Sequence, residues 1–216
     1  MSETFKIIYE GGKGEIIEKK SRFIAYTKPV HTENEAMEFI ESIKKMNWDA
    51  RHNCVAVAIG KNNEFTRCND DGEPSGTAGK PMLEVLLGEG IHNIAVVVTR
   101  YFGGVLLGTG GLVRAYQAAV KEGIANSVII QQIAGARFEI KTDYNGLGKI
   151  QYISANLNLF IEETEYGEDV KITIMVPKDK IDSFIKKVTD ATNAKAEIVK
   201  TMDVDYGIVD GEVKIL

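Results

Sequence analysis

The sequence predicts an α+β protein of two domains, and three features carry that prediction. The first is a buried strand, Ile94 to Tyr101, that runs into a cluster of glycines and then a helix. The second is an ordered β-α-β-β-α-β pattern over the last eighty residues, the arrangement of the ferredoxin-like split unit. The third is length: 216 residues exceed a typical domain of about 100–150. Ala134-Gly135 marks the junction, giving domains at 1–133 and 134–216.

In the first half, Glu15 to Tyr26 reads as extended, with β-branched and aromatic residues at its ends. Thr32 to Glu35 supplies a helix N-cap and an acidic first turn. Ala36, Phe39, Ile40, Ile43 and Met46 follow at helical spacing. Cys54 to Gly60 has the length and apolar character of a strand. The loop Asn69 to Gly79 is dense in turn formers, and Pro81 suits the first turn of a helix ending near Glu89. Ile94 to Tyr101 lacks polar alternation, as a strand covered on both faces should. A helix over 112–123 sets Val113, Tyr116, Gln117 and Val120 on one face, and a strand over 127–133 closes the half.

The second half reads as strand 136–142, helix 146–155, a hairpin of strands 158–166 and 169–176, helix 179–191 and strand 196–204. The tail after Tyr206 is expected to be loosely attached.

Composition narrows the function. Apolar residues at 44% and charged residues at 26% describe a globular chain. Net charge is −5, and residues 134–216 carry 11 Lys/Arg against 15 Asp/Glu. Strong indiscriminate nucleic-acid binding needs a basic surface and gets no support from this charge, which leaves room for a local, salt-sensitive basic face. No apolar run approaches the roughly 20 residues of a membrane span, and the first residues lack a signal-peptide pattern. With two cysteines, Cys54 and Cys68, the expected compartment is the cytoplasm. No cofactor and no metal are expected.

The candidate site residues lie in the first half. Glycines Gly103, Gly104, Gly108, Gly110 and Gly111, between a strand and a helix, bring backbone N–H groups within reach of an anion. Arg100 and Arg114 flank them. The spacing is not that of a Walker loop, because Thr109 follows Gly108 where Lys is required. Asp70, Asp71 and Glu73 cluster carboxylates without EF-hand spacing. Ser75 lacks the surroundings of a hydrolase nucleophile. His52 precedes its strand and is the acid–base candidate, whereas Cys54 reads as a small buried hydrophobe. Arg22 and Lys20 sit near Phe23 and Tyr26. Trp48, ending a helix, is assigned to packing.

Five segments together resemble the IMPACT/YigZ family: Lys20-Ser21-Arg22-Phe23-Ile24-Ala25; Ala50-Arg51-His52; Asp70 through Gly79; Val98 through Gly104; and Leu107-Gly108 with Gly111 through Tyr116. They run in order from Lys20 to Ala125, and the remainder is similar to the small C-terminal domain of bacterial YigZ-type members. The resemblance implies an N-terminal domain like the second domain of a small-subunit ribosomal protein, shared with domain IV of elongation factor G. It also implies a C-terminal domain like domain V of that factor. Eukaryotic members of the family act in translational control by binding the activator of the general-control kinase. They use an extra N-terminal domain that is not expected here.

Three readings follow. One is a non-enzymatic, translation-associated binder of RNA, ribosome or a protein of the translation machinery. Its ligand-binding residues would be Arg22, Arg51, His52, Lys80, Arg100, Tyr101, Gly103, Gly104, Gly110, Gly111 and Arg114. Another is a hydrolase-like enzyme with a cleft formed by His52, Asp70, Asp71, Glu73, Ser75 and Arg100. The third is a small-anion or nucleotide sensor at the Gly103–Gly111 turn.

Overall fold

A computed structural model describes residues 4–216. The chain forms two compact units, Phe5–Ile130 and Gln131–Leu216, each with its own apolar core.

The N-terminal unit is built on an antiparallel five-stranded sheet. Its strands are β2 (Lys13–Glu18), β3 (Ser21–Pro29), β4 (His52–Ile59), β5 (Phe65–Asn69) and β7 (Ile94–Tyr101), in the order β2-β3-β7-β4-β5. Central β7 explains its own sequence. Ile94, Val96 and Val98 point into the core beneath α2 (Gly79–Glu89) and α3 (Thr109–Ala125). Ala95 and Val97 point into a second core beneath α1 (Glu33–Met46). Helices cover both sheet faces, so both sets of alternating side chains are apolar. A further strand, β1 (Thr4–Glu10), pairs in parallel with the two-residue β6 (Ile91–His92).

Local chemistry starts and stops these elements. The Thr32 side chain accepts from the backbone N–H of Glu35 at 3.2 Å and caps α1, whose buried stripe is Ala36, Phe39, Ile40 and Ile43. Met46, placed by periodicity on that stripe, is exposed, because α1 ends there. Trp48 is also no packing residue: it is 82% exposed, in the turn after α1. On α3 the buried positions are Leu112, Ala115, Tyr116, Ala119, Val120, Gly123 and Ile124, so the inward face is rotated from the expected one and leaves Val113 and Gln117 at its edge.

The segment read as one extended stretch over 15–26 is a hairpin. Lys19 and Lys20 both take positive φ (44° and 68°) and make a two-residue turn, with Glu18 opposite Ser21. Positive φ at both positions is the type I′ geometry, which matches the strand twist but is normally given to Asn-Gly.

The C-terminal unit has the ferredoxin-like order. Its strands β8 (Val128–Thr142), β9 (Phe160–Tyr166), β10 (Val170–Pro177) and β11 (Glu197–Val209) lie in the order β11-β8-β10-β9, all antiparallel. Phe138 and Ile140 of β8 and Ile172 and Ile174 of β10 pack against α4 (Tyr144–Asn156) and α5 (Ile181–Thr192) through Ile150, Ile153, Phe184 and Val188. Alternating with them, Arg137, Glu139, Lys141 and Lys171 carry ion pairs with Glu162, Asp169 and one another.

Two expectations change here. Strands expected at 127–133 and 136–142 are one continuous strand. Gly135 is no turn residue: a Cβ there would meet the Val176 carbonyl oxygen at 2.5 Å and the Tyr206 ring at 3.0 Å. The tail after Tyr206 is ordered. Asp210-Gly211, both at positive φ, turn β11 into β12 (Glu212–Ile215) as a second hairpin.

The Lys19-Lys20 turn yields a stability prediction. The double substitution Lys19→Asn, Lys20→Gly relieves two strained residues and should raise unfolding free energy by about 0.5–1 kcal/mol in urea denaturation. No gain would show that the lysines make compensating contacts.

Candidate functional site

The loop over 70–79 and the segment over 100–109 line one cleft of about 370 Å³, between the ends of β4 and β7 and the start of α3. Arg51, His52, Glu73, Pro74 and Arg100 contribute on one side, and Phe102, Leu106, Leu107, Gly108 and Thr109 on the other.

Strand register brings the polar groups together. His52 on β4 and Phe23 on β3 both lie opposite Arg100 on β7, so the three side chains share one sheet face. At the floor, the Glu73 side chain is only 2% exposed. Its Oε1 accepts from Arg100 Nη1 at 2.6 Å and from the Tyr116 hydroxyl at 2.8 Å, and lies 4.0 Å from His52 Nε2. The Arg100 guanidinium lies against the rings of Phe23 (5.3 Å) and Phe102 (5.6 Å). Its Nε is buried without an acceptor. His52 Nδ1 is 2.8 Å from the Asp71 carbonyl oxygen. A carbonyl only accepts, so Nδ1 carries the proton and Nε2 faces the cleft.

The loop's other carboxylates hold it in place. Asp70 accepts from the backbone N–H groups of Gly76 (2.9 Å), Ala78 (3.0 Å) and Gly79 (2.8 Å). Ala78, at the cap position of α2, has no side chain to cap with, so Asp70 does this from eight residues upstream. Burial acts to raise the Asp70 pKa, but the three N–H donors outweigh it and hold the carboxyl below its ordinary value. Asp71 accepts from the Asn53 N–H at 2.7 Å and faces Lys44 at 3.6 Å. These two carboxylates are outside the cleft lining and brace the loop that carries Glu73 into it.

Other expected residues fall elsewhere. Ser75 and Lys80 are exposed and outside the cleft lining. Arg22 and Tyr101 are paired in register with each other, one position on from Phe23 and Arg100, which turns them to the opposite sheet face. There Arg22 is bonded to Glu15 at 2.8 Å, and the Tyr101 hydroxyl donates to Asp49 at 3.0 Å. Arg114 is exposed on α3. The single surface imagined for Arg22, Lys80, Arg100, Tyr101 and Arg114 is thus divided by strand alternation.

The glycines divide between packing and conformation. A Cβ on Gly103 would collide with the Lys20 carbonyl group, so this residue lets the segment press against the β2–β3 turn. Gly108, at φ 73°, is the cap of α3 and has no side chain to bond its first turn. Gly110 and Gly111 lie within that first turn. Cys54 is fully buried, 3.3 Å from the Tyr116 hydroxyl, and burial pushes its thiol well above the ordinary value; Cys68 is exposed on β5.

Two residues that sequence reasoning missed are Phe102, 40% exposed beneath the Arg51 guanidinium at 5.8 Å, and Leu106, 81% exposed. Their signal was an aromatic and a leucine inside a glycine-rich turn, where no core can use them.

This combination of fold and cleft defines a two-domain class. Residues 19–124 match the Impact N-terminal domain, and residues 140–195 match a domain of unknown function, DUF1949. The chain is 42% identical to the IMPACT family member YvyE of Bacillus subtilis (strain 168) over 198 residues, covering 92% of this chain and 91% of that one. It is 36% identical to the IMPACT family member YigZ of Escherichia coli (strain K12), covering 84% and 90%. A crystal structure described as a hypothetical protein superposes with a TM-score of 0.60 at 32% identity, covering 94% of this chain and 98% of that one. The chain belongs to the IMPACT family. Among the described residues no helix is long and apolar enough to cross a membrane.

Asp70 gives a prediction with a definite pH sign. Asp70→Asn should cost about 1 kcal/mol at pH 6, since a partly buried, charge-assisted set of three bonds is weakened. A carboxyl with a lowered folded pKa stabilises fully above its unfolded value, near 3.9, and loses that contribution as pH falls through the folded value. The gap between wild type and variant should therefore narrow in urea unfolding from pH 6 to pH 3. A constant gap would contradict this.

Proposed function

We propose that the chain is a translation-associated RNA-binding protein that works through the N-terminal cleft by recognition, without covalent chemistry. The observation that carries this reading is Phe102, a partly exposed ring with the guanidinium groups of Arg51 and Arg100 5.8 Å and 5.6 Å from its centre. A partly exposed ring with two cations against it is the kind of surface that single-stranded RNA uses for base stacking and phosphate contact.

Neighbouring features support it. The Tyr101–Asp49 bond sets the 47–50 turn, with exposed Trp48, beside the end of β7. Leu106 extends the apolar rim. The translation setting rests on family membership. With a net charge of −5, attraction is confined to this patch, so binding should weaken steeply with salt.

Fluorescence anisotropy with a labelled single-stranded RNA of about twelve nucleotides tests the proposal. Phe102→Ala should weaken binding by about 1–3 kcal/mol, the scale of one base stack. Arg51→Glu should weaken it and flatten the salt dependence. Equal affinity of Phe102→Ala and wild type, or no binding at 50 mM salt, would overturn the reading.

A hydrolase-like reading is favoured by one observation, the approach of His52 Nε2 to the buried Glu73 carboxylate at 4.0 Å. It expects a turnover in a substrate screen that disappears in Glu73→Gln.

A further inference from the structure

We infer that the cleft contains a specific seat for one nucleotide phosphate, formed by the first turn of α3 together with Arg51 and Arg100. This rests on the RNA reading above and specifies which atoms take the charge.

The first turn of α3 is a donor set without acceptors of its own. The helix is 17 residues long, and its first intrahelical bond is from Leu112 N–H to the Gly108 carbonyl at 2.9 Å. The N–H groups of Thr109, Gly110 and Gly111 precede that bond. Gly108 provides no side-chain cap, and no acidic residue stands in the first turn. Most helices satisfy these groups with a Ser, Asp or Glu; this one leaves them and the positive end of its dipole to an external anion. Gly108 and Thr109 line the cleft, so the helix start opens into it.

Arg100 points independently to a ligand. It is over nine-tenths buried and lines the same cleft, yet among the described residues its only hydrogen bond is from Nη1 to Glu73, and its Nε has no acceptor. A guanidinium has five donors, and burying them unmatched is costly. Arg51, exposed above Phe102, has no ion-pair partner among the described residues. The facing negative group is Glu73, whose charge is already matched by Arg100 at 2.6 Å. His52 lines the cleft as well, but with its proton on Nδ1 it presents an acceptor at Nε2 and adds no donor to the seat.

The same cleft also carries apolar lining, from Phe102, Leu106, Leu107, Leu112 and Pro74. Donors and apolar groups together within about 370 Å³ suit one phosphate with its base or sugar, not a polyphosphate. The phosphate could belong to an RNA strand or to a free mononucleotide, and the two sources share this chemistry.

The decisive variant is Thr109→Asp. Thr109 is exposed, and a carboxylate at the first helical position should stabilise α3 through its dipole while filling the donor set. The measurement is two-dimensional amide NMR with titrations of adenosine 5′-monophosphate, adenosine, inorganic phosphate and single-stranded RNA with and without a 5′-phosphate.

In wild type, the amide signals of Thr109, Gly110 and Gly111 should shift with the monophosphate and with RNA but not with adenosine. Thr109→Asp should melt at or above the wild-type temperature and bind the monophosphate at least tenfold more weakly. RNA that binds only with its 5′-phosphate would identify a strand end; equal binding of both RNAs would identify an internal phosphate. Unshifted 109–111 amides, or full affinity in Thr109→Asp, would overturn the phosphate seat even if RNA still bound elsewhere. Monophosphate binding without any RNA binding would instead overturn the RNA reading and leave the seat in place.

Discussion

The pair of Glu73 and Arg100 is the constraint on which the cleft depends. Both side chains are almost wholly withdrawn from solvent, with 2.6 Å between Oε1 and Nη1. Removing one partner from such a pair typically costs about 3–5 kcal/mol, because the other charge remains buried and unmatched. The pair also joins three separate pieces of chain. Glu73 comes from the 70–79 loop, Arg100 from the end of β7, and the Tyr116 hydroxyl reaches the same oxygen from α3. Phe23 supports the assembly from β3 through edge-on contact with Tyr116 at 5.1 Å and the face it offers Arg100.

Within this frame, parts that hold the cleft together are distinct from parts left open. Asp70, Asp71 and Gly103 are fully engaged by backbone or close packing. The open groups are the start of α3, Arg51 and the exposed side of Phe102, and the Arg100 Nε lies buried without an acceptor. The Glu73 carboxylate itself is only 2% exposed, whereas the His52 ring beside it lines the cleft.

Much of this was legible in the sequence. The apolar run of β7 and the α1 cap at Thr32 each follow from a single rule of burial or capping, and each element formed where that rule placed it. The 70–79 loop and the glycine segment were singled out, and the structure joins them in one cleft. What failed depended on partners distant in the chain. Lys19-Lys20 makes a turn normally given to Asn-Gly, so composition conceals it, whereas Asp210-Gly211 is ordinary turn chemistry lying in the tail expected to be loosely attached. β5 is a polar edge strand, too exposed to show alternation. Arg22 and Arg100 looked like members of one basic patch until register set them on opposite faces. Trp48 was assigned to packing by residue type alone, and only the end of α1 shows that it faces water.

The most direct test of the central constraint is a double-mutant cycle in equilibrium unfolding, with Glu73→Gln, Arg100→Leu and the combined variant. If the buried pair organises the cleft, each single change should be strongly destabilising. The double variant should then be at least about 2 kcal/mol less destabilised than the sum, because neither charge is left unmatched. Additive costs would contradict that account and reduce Glu73 and Arg100 to independent parts of the wall.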